Sequence, residues 1–122
     1  MIEYLFSAII FVLLDGLYLN LVKNYFNTQI KDIQGSPIQL NFIAAAITYI
    51  FLIYGLNYFI IQRKKSVAEA ATLGFVIYGV YEFTNLSIIK NWHIFTAIID
   101  TTWGAILFGL TTAIVYKIKN IF

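Results

Sequence analysis

The sequence predicts an all-α integral membrane bundle of four antiparallel transmembrane helices, and three observations predict it. Of 122 residues, 61% are hydrophobic and 11% are charged, against about 25% charged in a soluble domain. So few charges could not cover the apolar surface of a soluble protein this small, whereas a bilayer favours an apolar exterior. Four stretches reach the roughly 20 mostly apolar residues that a membrane crossing needs, at about 4–22, 41–61, 67–89 and 94–116, and none contains proline. Together they make one domain, 1–122.

The first stretch, Tyr4–Val22, does not read as a signal peptide. No basic residue precedes it, it contains Asp15, and no small-residue cleavage pattern follows it. The connection Lys23–Leu40 is the longest and most polar. It carries the turn signal Gly35-Ser36-Pro37, and Asn24-Tyr25-Phe26-Asn27 within it reads as loop near the lipid interface. The second stretch, Asn41–Ile61, leads into the short basic connection Gln62-Arg63-Lys64-Lys65-Ser66. The third, Val67–Ile89, carries Glu69 in its first turn, where a helix N-terminus favours an acid. Lys90-Asn91-Trp92-His93 then joins it to the fourth, Ile94–Tyr116. Short connections make successive helices antiparallel neighbours. Tyr4, Tyr25, Tyr58, Trp92 and Tyr116 fall near span ends and read as interfacial anchors.

Four crossings put both termini on one side. That side holds Arg63, Lys64, Lys65, Lys117 and Lys119, and the other holds Lys23, Lys31 and Lys90. The excess of positive charge places the termini in the cytoplasm of a cell-membrane protein. A net charge of +2 with no clustered basic face gives no basis for nucleic-acid binding. With no cysteine there is no disulfide and no thiolate metal site. No Gly-rich phosphate loop, nucleophile elbow or His-rich motif is present, so no metal and no cofactor is expected.

The informative residues are the acids inside the spans. Asp15, Glu82 and Asp100 each interrupt an apolar run. A carboxylate near a helix centre costs about 2.5–3.5 kcal/mol on insertion scales, and such residues face the bundle interior and mark functional pathways or hold helices together. Counted from the span ends, all three lie about 10 Å below the outer interface, at 1.5 Å per residue. On the second helix that depth falls at Thr48 and Tyr49. Tyr78, Glu82 and Asn85 share one helix face at i, i+4 and i+7. Asp15 and Tyr18 are three apart, as are Asp100 and Trp103, which gives each acid an aromatic donor on its own helix. Gly104 allows a neighbouring helix to come close. No Lys, Arg or His lies within a span to neutralise the acids, so they must hold protons, share one, or face a bound cation. The inner half of the bundle reads as nearly all hydrocarbon. His93, beside Trp92 and above the acidic layer, reads as a solvated loop residue.

These motifs carry a resemblance. Asp15-Gly16-Leu17-Tyr18, Tyr81-Glu82-Phe83-Thr84-Asn85 and Asp100-Thr101-Thr102-Trp103-Gly104 are similar to the motifs of a group of small bacterial four-helix membrane proteins, a "predicted membrane protein" family defined as a domain of unknown function. The chain departs from that pattern at Tyr18 (Trp expected), Glu82 (Asp commoner) and His93 (Pro expected after Trp92). The resemblance implies the membrane fold and no activity.

Three roles suit the acidic layer. One is binding or moving a proton, a cation or a cationic small molecule, with a homo-oligomer called for because four short helices leave little room for a pore. Another is acid/base chemistry on a lipid or other apolar substrate, with two of the acids as proton donor and acceptor and Tyr18, Asn85 and Trp103 orienting it. The last is a structural or accessory subunit whose polar layer fixes helix register. Lipid is the partner common to all three.

Overall fold

A computed structural model describes residues 2–121 and contains four helices: α1 (Ile2–Gln34), α2 (Phe42–Leu56), α3 (Val67–Ile88) and α4 (Ile94–Ile121). A π-helical turn, Asn57–Ile61, continues α2. The chain is an all-α membrane bundle. By length and composition α1, α2 with its π turn, and α4 can each cross a bilayer. At 22 residues α3 has the length. Glu69 and Glu82, with its glycines and tyrosines, make it less apolar, and it is packed along α4 for much of its course.

The largest departure from expectation is the first connection. Residues 23–34, read above as loop, continue α1 as helix to a total of 33 residues, or about 50 Å. That exceeds the roughly 30 Å hydrocarbon core, so several turns project beyond it at the end away from the termini. Polar composition marks where hydrocarbon stops, and here the helix does not stop with it. Val22, Tyr25, Phe26, Gln29, Ile30 and Ile33 are buried or half-buried at helical spacing, and the next turn ends only at Gly35, whose φ of +78° closes the helix with Gly35 N–H donating to Lys31 O.

Packing is not in sequence order. α3 lies on α4, α4 lies on α1, and α2 lies on α1. The short connection between α2 and α3 does not make those two close neighbours. At the α3–α4 crossing, Gly74 and Gly104 bring the backbones together. A Cβ on Gly74 would collide with Gly104 O, and one on Gly104 would collide with the Tyr78 ring. Gly104 thus permits the close approach its sequence suggests. Ser66 and Glu69 form a capping box at the start of α3. Near the termini, Lys119 Nζ meets Glu3 Oε2 at 3.2 Å.

Phe11, Phe108, Leu56 and Leu107 fill the middle of the core, with Phe11 and Phe108 edge to face at 5.5 Å. Below them, toward the termini, the interior is more polar than expected. Ser7, Asn57, Thr111 and Thr112 are fully buried. Asn57 Nδ2 donates to Ser7 Oγ and to Ile53 O, each at 2.8 Å.

Candidate functional site

The three acids meet a single cavity. It has a volume of about 620 Å³ and is lined by residues from α1, α3, α4 and both connections at the end away from the termini. α1 and α3 form its sides, standing apart across α4. From α1 come Asp15, Tyr18 and Phe26, from α3 come Tyr78, Tyr81 and Glu82, and from α4 come Thr96 and Asp100. Ser36, Ile38 and Gln39 of the first connection and Trp92 of the third close the far end. No Lys, Arg or His lines it among the described residues.

Each acid has partners that helical spacing alone did not assign. Asp15 is buried, and both its oxygens are engaged: Tyr49 Oη donates to Oδ2 at 2.5 Å and Trp103 Nε1 donates to Oδ1 at 2.9 Å. Tyr18 Oη donates to Asp100 Oδ1 at 3.2 Å. The aromatics are therefore exchanged: the one expected beside Asp15 serves Asp100, and the one expected beside Asp100 serves Asp15. Their rings stack at 4.5 Å and 5° between the two bonds. Glu82 is buried, accepts from Trp92 Nε1 at 3.0 Å, and lines the cavity together with Asp100. The result is a connected set of groups from Tyr49 to Asp15 and Trp103 and across the stack to Tyr18 and Asp100, with Glu82 and its donor Trp92 lining the same cavity as Asp100.

Two expected residues stand apart from it. Thr48 is exposed and donates to Ala44 O within its own helix, because the inward position on α2 belongs to Tyr49, one residue on. Asn85 is half-buried one turn beyond Glu82 and does not line the cavity. Trp103 contributes through Asp15 and the stack and does not line the cavity itself. Tyr78 does, as its i, i+4 spacing with Glu82 requires.

Above the acids the projecting part of α1 is fastened to the start of α4. Gln29 is buried, and its Oε1 accepts from Thr96 Oγ1 at 2.7 Å and from His93 N–H at 2.9 Å. Tyr25 Oη lies 2.9 Å from Thr96 Oγ1 and 3.3 Å from His93 Nδ1. Of the residues read above as lipid anchors, Trp92 lines the cavity, and Tyr25 stands behind it, bonded to the lining residue Thr96. The signal for Gln29 was present as a polar residue one turn after Tyr25 on the inward stripe. No sequence signal singled out Trp92 as the partner of Glu82, because that bond crosses a turn.

The family described as "Predicted membrane protein (DUF2177)" matches residues 1–117, and the chain belongs to it. No curated protein and no solved structure matches the chain.

Proposed function

Proceeding from a membrane protein of this family, we propose that the chain binds a cation, or passes a proton, at the Glu82–Asp100 pair in the acidic cleft. The observation that carries this reading is three carboxyl groups on one 620 Å³ cavity whose lining holds no basic side chain among the described residues. Ionisable groups inside a membrane bundle mark ion and proton pathways.

The three acids divide the work. Asp15 has a donor on each oxygen and holds α1, α2 and α4 in register. Glu82 and Asp100 share a cavity whose lining holds no basic side chain among the described residues, and two carboxyls confined together ionise singly and not both at once. The pair then bears one proton and one negative charge, a unit able to release the proton or attract a cation. With the termini in the cytoplasm, as the charge bias indicates, the cleft lies in the outer half of the membrane.

The test is reconstitution in liposomes. Expected is a saturable proton or cation flux, or saturable cation binding, that Asp100→Asn abolishes and Asp15→Asn largely keeps. Liposomes showing neither flux nor binding would end this reading. A second reading, acid/base catalysis on a lipid-like molecule, is favoured by the same proton-sharing pair lying beside the gap between α1 and α3. Lipid profiles that change with the protein and revert with Glu82→Gln would establish it.

A further inference from the structure

The shape of the cleft narrows what it holds. A bare metal ion needs several hard oxygen ligands converging on one point. Among the described residues no group of three His, Cys, Asp or Glu side chains is placed to do this. Each Asp15 oxygen already has a donor, and Glu82 and Asp100 already accept from Trp92 and Tyr18. A volume of 620 Å³ lies within the range of small-molecule pockets, about 300–1,000 Å³, and is far larger than an inorganic ion requires.

The walls point to an organic cation. Five aromatic residues, Tyr18, Phe26, Tyr78, Tyr81 and Trp92, line the same cavity as the acids, and ring faces attract ammonium groups, most strongly where water is displaced. Leu19, Ile30 and Ile38 add apolar wall on the α1 and first-connection side. The cleft runs between α1 and α3, which do not close on each other, so a hydrocarbon tail can lie outward between them while a charged head reaches Asp100.

We infer that the cleft binds a singly charged organic ammonium ion carrying a hydrocarbon tail, its head among the aromatic rings beside Glu82 and Asp100 and its tail between α1 and α3. This rests on the cation-binding reading above. One negative charge on the proton-sharing pair matches one positive charge on the ligand.

The chain supplies its own reporter, because its two tryptophans, Trp92 and Trp103, both belong to the acid network. The protein is reconstituted in phosphatidylcholine liposomes and titrated with hexyltrimethylammonium, with hexanol, hexanoate and sodium as controls. Expected is a saturable change in tryptophan emission with hexyltrimethylammonium that none of the controls reproduces. Asp100→Asn should weaken it about tenfold, the loss of one charge-assisted contact. Tyr81→Leu should weaken it about threefold, the loss of one exposed cation–π contact. Tyr81 is 59% exposed, so its replacement tests the site without disturbing the core. Hexanol matching the ammonium probe, with Asp100→Asn indifferent, would overturn the inference. So would no response to the ammonium probe alongside a sodium or proton flux that Asp100→Asn abolishes, which leaves the cation reading standing. No response and no flux would remove both.

Discussion

Asp15 and Asp100 stand on packed helices, and each takes its aromatic donor from the other's helix. Tyr18 reaches from α1 to Asp100 and Trp103 from α4 to Asp15, with the two rings stacked between. The arrangement ties α1 to α4 twice and gives each Asp15 oxygen a donor. Asp15→Asn should therefore cost little stability, because an amide oxygen can accept from Trp103 while the Tyr49 hydroxyl turns to accept from the amide nitrogen. Asp15→Ala should cost about 2–4 kcal/mol, since it strands two donors in the interior. Denaturation in mixed micelles measures both, and equal losses would contradict the proposed bonding. The acids themselves were legible in the sequence, because a carboxyl in an apolar run has no inconspicuous explanation. Their partners were less so. Choosing Tyr49 over Thr48 turns on one step of about 100° around a helix, and a depth count uncertain by a residue cannot make that choice. Trp92 was invisible for another reason: an indole at a membrane edge reads as an anchor whether or not its N–H has found an acid.

At the scale of elements, glycines decide which helices pair. Gly74 and Gly104 meet at the α3–α4 crossing, where an added Cβ would strike backbone or ring atoms. Gly74→Ala should cost about 3 kcal/mol or more, since the obstacle is the neighbouring main chain and a close-packed interface yields little. Gly16 has open space around its Cβ position, so Gly16→Ala should stabilise α1 by up to about 1 kcal/mol through helix propensity. Gly35 is a third case. It also has open space, but its φ is +78°, so Gly35→Ala should cost about 1–2 kcal/mol for the left-handed backbone alone. Thermal unfolding of the three variants separates packing, propensity and conformation, and a shared sign would refute the assignment. The number and order of helices followed from hydropathy, and Gly104 marked a close helix approach without saying which helix makes it. The extension of α1 did not follow, because hydropathy reports the membrane boundary. The periodic stripe from Val22 to Ile33 carried that information at lower contrast. The buried Ser7–Asn57 pair went unread for a related reason: Asn57, Thr111 and Thr112 are neutral, so they interrupt an apolar span without the cost that makes a carboxylate conspicuous.

For the whole molecule, α1 and α4 form the centre, with α2 on one and α3 on the other. This order, and not a symmetric ring of four helices, creates the cleft, because α1 and α3 flank α4 without closing on each other. It also sets the route of access. A ligand arriving from the membrane would pass between α1 and α3, whereas one arriving from water would pass the first connection and Trp92. The absence of native cysteine allows the two routes to be separated. Leu19 on α1 and Tyr81 on α3 both line the cleft and are 42% and 59% exposed. In the Leu19→Cys, Tyr81→Cys double variant, a flexible bifunctional maleimide should bridge the two helices. The uncrosslinked variant sets the baseline, since it already lacks the Tyr81 ring. Bridging should slow or abolish the remaining hexyltrimethylammonium response if access is lateral, because the bridge occupies the gap through which head and tail must pass. Tetramethylammonium, which has no tail to place between the helices, should lose less. If bridging leaves both responses unchanged, the gap between α1 and α3 is not the way in, and the tail must lie along the connections at the end of the bundle instead.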